Sequence, residues 1–118
     1  MSVKAIYRIK KYLCLLGVAT LLCSCSASYG YADAMIEVYE DAIDDFEDAE
    51  SLDELVKMRE TMRKQCDEVE KEEKESHQEL VKAIENFEED AYLIHLDVLY
   101  AESHALWMYH VKENELKK

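Results

Sequence analysis

Residues Leu80–Met108 read LVKAIENFEEDAYLIHLDVLYAESHALWM, and this stretch decides the fold. Leu80, Ile84, Phe87, Ala91, Ile94, Val98, Ala101, Ala105 and Met108 follow one another at alternating steps of four and three. A helix turns every ~3.6 residues, so that spacing gathers them into one apolar stripe. Held over four heptads, it predicts a long helix over about 77–113 with a coiled-coil-like seam. At ~1.5 Å per residue such a rod is about 54 Å long.

The same rhythm extends toward the N-terminus. Met35, Tyr39, Ala42, Phe46 and Ala49 step by four, three, four and three, which predicts a first helix over about 33–49. Ser51-Leu52-Asp53-Glu54 then forms a capping box, in which the serine oxygen accepts from the Glu54 amide and Glu54 reaches back. A second helix over about 52–72 follows, with Leu52, Leu55, Met62, Cys66 and Val69 as its seam and Arg59 interrupting it. Residues 70–79 contain no apolar member, and Ser76 with Glu79 makes a second capping box. This predicts a reversal between about 72 and 77; the competing reading is one uninterrupted exposed helix.

Composition supports helices throughout. The chain has 118 residues, two glycines and no proline. From Tyr31 to Lys118 neither breaker occurs, which is hard to reconcile with anything but helix. Turn-rich β folds and Gly-rich phosphate loops are excluded. The expected class is all-α, an antiparallel helical hairpin or three-helix bundle whose long helix is C-terminal. The formal charge of −13 argues against nucleic-acid binding, which needs a basic face. Residues 33–50 carry nine acids and no base, whereas Lys57, Arg59, Arg63 and Lys64 follow. Antiparallel packing sets these charges side by side, which selects register more than it stabilises.

The first 24 residues differ from the rest. They contain no acid, and Lys4, Arg8, Lys10 and Lys11 precede an apolar run from Tyr12 to Leu22. A bilayer span needs about 20 apolar residues, so this shorter run reads as a secretory signal. It ends in Leu22-Cys23-Ser24-Cys25, with an aliphatic residue three before Cys25 and a small residue just before it. Cys23 fits worse, because Leu22 directly precedes it. The segment resembles the lipobox of bacterial lipoprotein precursors. The resemblance implies removal of residues 1–24, lipidation of Cys25 and anchoring in the bilayer through acyl chains. Ser26 after the cysteine is similar to outer-membrane sorting in that family. Ser26–Ala32 holds no acidic cluster of the kind linked to surface export. The expected address is therefore the periplasmic face of the outer membrane, with the cell surface as the alternative. Residues 1–24 carry 4 of the 14 basic residues and none of the 27 acids, so the remaining 94 residues carry a formal charge of −17. Residues 25–32 read as a lipidated tether and 33–118 as the helical domain.

Function is sought in the C-terminal third. Between Ala91 and Val111 only Asp97 and Glu102 are charged, and 15 of 21 residues are apolar. Beside the seam lies a second apolar set. Leu93, Tyr100 and Trp107 recur every seven residues, with Tyr92, Leu96, Leu99 and Leu106 next to them. A helix in a small bundle buries one stripe, and this one carries two. Asp97, Glu102, His95, His104 and His110 argue against a membrane span. The second stripe is therefore covered by the first helix or by a break near 102–104, or it is an interaction surface. Its candidate contact residues are Leu93, Leu96, Leu99, Tyr100, Leu106 and Trp107. The candidate occupants are a second copy, an envelope protein or a lipid surface.

Other chemistry is thin. His95, His104 and His110 are nine and six residues apart, not the three or four that pair metal ligands on one helix face. Asp41, Asp44, Asp45 and Asp48 lack the loop glycine of a calcium site and read as a solvated face. Cys66, on a seam, reads as a buried thiol, with a bridge between two copies as the alternative. No nucleophile elbow occurs, and a narrow bundle leaves little room for a cleft. The expectation is no enzyme, no cofactor and no metal. It is a non-catalytic structural or interaction module of the envelope; the alternative is a periplasmic chaperone-like or inhibitor protein that holds basic clients on its acidic face.

Overall fold

The computed structural model describes residues 29–118. Four helices fill them: α1 (Gly30–Asp48), α2 (Leu52–Glu72), α3 (Lys74–Glu85) and α4 (Glu89–Lys117). The class is all-α, as the seams predict, and α4 is the longest at 29 residues.

The first turn forms as its residues dictate. Ala49 leaves the helical region at φ −63° and ψ 134°, and Ser51 caps α2 by accepting from the Glu54 amide at 3.2 Å. Glu54 reaches back to the Glu50 amide at 3.3 Å. The chain thus reverses within three residues, and α2 runs antiparallel to α1. At mid-length Tyr39 of α1 hydrogen-bonds Cys66 of α2. Near the far end, Tyr31 meets Ser76 and His77 just beyond α2.

The second connection departs from expectation. The chain bends at Glu73 (φ −107°, ψ 29°), continues as the 12-residue α3, and turns again at 86–88. The single helix expected over 77–113 is therefore two helices, and an uninterrupted helix through 70–79 is absent. The turn is a Schellman closure. The Glu88 amide donates to the Ala83 carbonyl and the Phe87 amide to the Ile84 carbonyl, both at 3.0 Å. Phe87 occupies the left-handed position at φ 59° and is 94% exposed. It was expected on the seam; in the fold it is the one seam member that leaves the core. The turn returns the chain in phase, so Leu80 and Ala91 are both buried on either side of it.

Ser76 was expected to cap the helix that follows it. Instead it lies inside α3, and its hydroxyl accepts from the Tyr31 amide of α1 at 3.0 Å. That amide is one of the first-turn donors an α-helix leaves without a partner. Tyr31 also stacks on His77, with ring centroids 3.9 Å apart. The Glu73 carboxylate sits where a Cβ on Gly30 would come within 2.8 Å of it, so glycine makes room for an acid at the helix N-terminus. This clasp starts α1 at Gly30, inside the stretch assigned to the tether, and buries Tyr31 and Ala32. Residues 1–28, including Cys25, lie outside the described residues.

The core lies between α1, α2 and α4. Ile43, Phe46 and Leu55 are fully buried, and α1 packs most extensively on α4. Three alanines on the inner face of α4, Ala91, Ala101 and Ala105, let the two helices approach closely. Phe46 meets Tyr109 edge to face, with centroids 5.4 Å apart. Arg59, the interruption in the α2 seam, lies 5.0 Å above the same tyrosine ring. Leu52, placed on that seam, is partly exposed at the helix start. At the opposite end burial, followed by the nearby charges of Glu88, Glu79 and Asp90, raises the Tyr29 phenol pKa. Hence α1 and α4 run in the same direction, with α2 opposed to both and α3 spanning one end.

Candidate interaction surface

The inner face of α4 is filled by Ala91, Val98, Ala101, Ala105 and Tyr109. At 100° per residue, these positions and the predicted contact residues fall on opposite sides of the helix. Leu93, Leu96, Leu99, Tyr100, Leu106 and Trp107 are 36–58% exposed, and Tyr92 joins them at 54%. Neither α1 nor a break covers them, because α4 runs unbroken through 102–104 and turns this side outward. Single exposed leucines need no explanation, but a continuous row of leucines and aromatics does.

The outer face has an order of its own. Tyr92, Leu96, Leu99, Ser103, Leu106 and His110 step by four, three, four, three and four. This is a second heptad seam on the same helix, back to back with the first. Leu93, Tyr100 and Trp107 widen it along one edge. Tyr100 is steadied by His104, whose ring lies 4.1 Å from its own. Leu96, Asp97, Leu99, Tyr100 and Ser103 surround an open depression midway along the row. From Ala91 to Val111 the helix carries no lysine or arginine. Its start bears Glu88, Glu89 and Asp90, and its end Lys112, Lys117 and Lys118. Lys112 and Lys117 pair locally with Glu115 and Glu113 at 3.6 and 3.8 Å.

All six candidate contact residues are exposed on this face, and two members of its seam, Ser103 and His110, lie outside that set. Being polar, they read as edges; only the four-three spacing reveals them. Phe87 was missed as a surface residue.

Among the described residues, none of the titratable groups with displaced pKa values lies on α4. Burial, followed by the nearby Cys66, pushes the Tyr39 phenol well above its ordinary value of 10.0. Burial also pushes the Cys66 thiol up from 9.0, and Tyr39 opposes this through its hydrogen bond. A thiol held neutral this way is a poor nucleophile. Among the described residues, no group of three or more His, Cys, Asp or Glu is placed to hold a metal ion, and no helix is long and apolar enough to cross a membrane. The outer face of α4 is thus suited to burial against another apolar surface. No family model, curated protein or solved structure matches the chain.

Proposed function

We propose that this chain is a lipid-anchored protein of the bacterial cell envelope and acts as a non-catalytic interaction module. The outer face of α4 is its contact surface. The observation that carries the reading is the second heptad seam, exposed on a helix whose opposite face is already filled by the bundle. The lipobox-like segment ending at Cys25 supports the anchor, and Ser26 after it supports the periplasmic face of the outer membrane.

The test is to charge the seam. Leu99→Glu with Trp107→Glu places two carboxylates on exposed positions, so helicity and melting temperature should hold. Self-association and co-purification of any partner should be lost. If both survive the double change, the reading fails. Contacts made through this apolar face should also persist at about 0.5 M salt, whereas contacts through the acidic face of α1 should fade. The anchor is checked separately by palmitate labelling, which Cys25→Ala should abolish.

A further inference from the structure

On the basis of that reading, we propose that the occupant of the outer face is a second copy of this chain, with its α4 laid antiparallel about a two-fold axis near Tyr100. The face is complementary to itself. In an antiparallel helix pair, alternate seam positions oppose each other, so partners have numbers of constant sum. On the outer seam this sets Leu96 against Leu106 of the second copy, Leu99 against its Ser103, and Tyr92 against its His110. The small Ser103 leaves space for the leucine facing it. Along the edge, Tyr100 meets its own counterpart and Leu93 meets Trp107. The large exposed side chains thus find complements within one segment, as an isologous interface requires.

Charge selects the direction. Glu88, Glu89 and Asp90 mark the start of the face, and its last turns carry Lys112, Lys117 and Lys118 beside Glu113 and Glu115, a formal charge of +1. An antiparallel pair sets the acidic start beside this weakly basic end and opposes the helix dipoles, while a parallel pair stacks acid on acid. A bilayer surface is a poorer occupant. The face carries no lysine or arginine between Asp90 and Lys112 to meet anionic headgroups, and the residues from Cys25 onward carry a charge of −17. The row is about 27 Å long, a small interface. Tethering to one membrane raises the effective concentration enough for a small interface to suffice.

The test is site-directed crosslinking of the full chain in its own membrane, in a Cys66→Ser background, with a short bis-maleimide. Leu93→Cys combined with Trp107→Cys should shift to dimer size above the Cys66→Ser parent, and Tyr100→Cys alone should do the same. Leu93→Cys or Trp107→Cys alone should not, because antiparallel packing separates each from its own counterpart by about 21 Å. Dimers from those single variants would overturn the antiparallel arrangement. Absence of dimers from every variant would overturn the second copy as occupant. The contact-surface reading would then stand or fall separately, on whether Leu99→Glu with Trp107→Glu strips a foreign partner.

Discussion

The first and last helices of the bundle lie side by side and run the same way, yet their outer faces are opposites. α1 turns Asp33, Glu37, Asp41, Asp45 and Asp48 to the solvent and buries Met35, Ile43 and Phe46. α4 buries an inner row of similar kind but shows water leucines, tyrosines and a tryptophan. Local helix propensity does not distinguish the two, since neither has a breaker in its interior. The difference lies in how many apolar faces the sequence writes onto one helix. One face makes a bundle member, and a second makes a bundle member with an exposed apolar row.

The sharpest way to break this comparison is to truncate one large aromatic on each side. Phe46→Ala empties a fully buried site and should cost about 3–5 kcal/mol, a large share of the stability of a small domain. Trp107→Ala, on the outer face, should change stability by no more than about 0.5 kcal/mol. Denaturant midpoints decide it, taken at dilutions where copies do not pair: a comparable loss for Trp107→Ala would mean that the outer face is part of the core of one chain.

A smaller effect sharpens the inner side through pH. Tyr39 and Cys66 have folded-state pKa values raised above 10.0 and 9.0, so the folded state holds their protons longer than the unfolded chain. Their contribution is complete below pH 9 and declines as pH rises through the folded values, by up to about 1.4 kcal/mol per pH unit for each group. Melting temperature should therefore fall from about pH 9 upward, and Tyr39→Phe should flatten the fall. An unchanged slope in that variant would remove Tyr39 as a cause.

The smallest effect concerns the turn that precedes the outer face. Phe87 adopts a backbone that glycine adopts freely and buries almost none of its ring. Phe87→Gly should stabilise the fold by about 1 kcal/mol, or about 4–8 °C for a domain of this size. A destabilised variant would show that the exposed ring holds something in place.

Much of this architecture is written in local pattern. The α1 seam, the Ser51 cap and the extent of α2 follow from spacing and capping chemistry, and the double apolar face follows from an excess of leucine and aromatic residues. What escaped depends on distant partners or on an unfavourable residue. The break at 86–88 has no glycine to announce it, and the turn preserves the heptad phase, so the periodicity of Leu80 to Met108 runs through it without a fault. Ser76 carries a capping signal that is satisfied, but by a different helix. The early start of α1 rests on that same contact, which no window of local sequence contains. The outer seam was legible in its apolar members and hidden where Ser103 and His110 complete it.

The clasp on Tyr31 has a mechanical consequence. Its amide is held by Ser76, its ring by His77, and the glycine before it packs on Glu73. All three holding residues belong to the junction of α2 and α3, not to α1 itself. A pull on the chain from its N-terminal side enters the bundle at this junction and loads one hydrogen bond and one ring stack before it reaches Phe46 or Ile43. The point where the N-terminal segment joins the bundle is thus held by a few polar and ring contacts, and the packed layer between α1 and α4 begins beyond it.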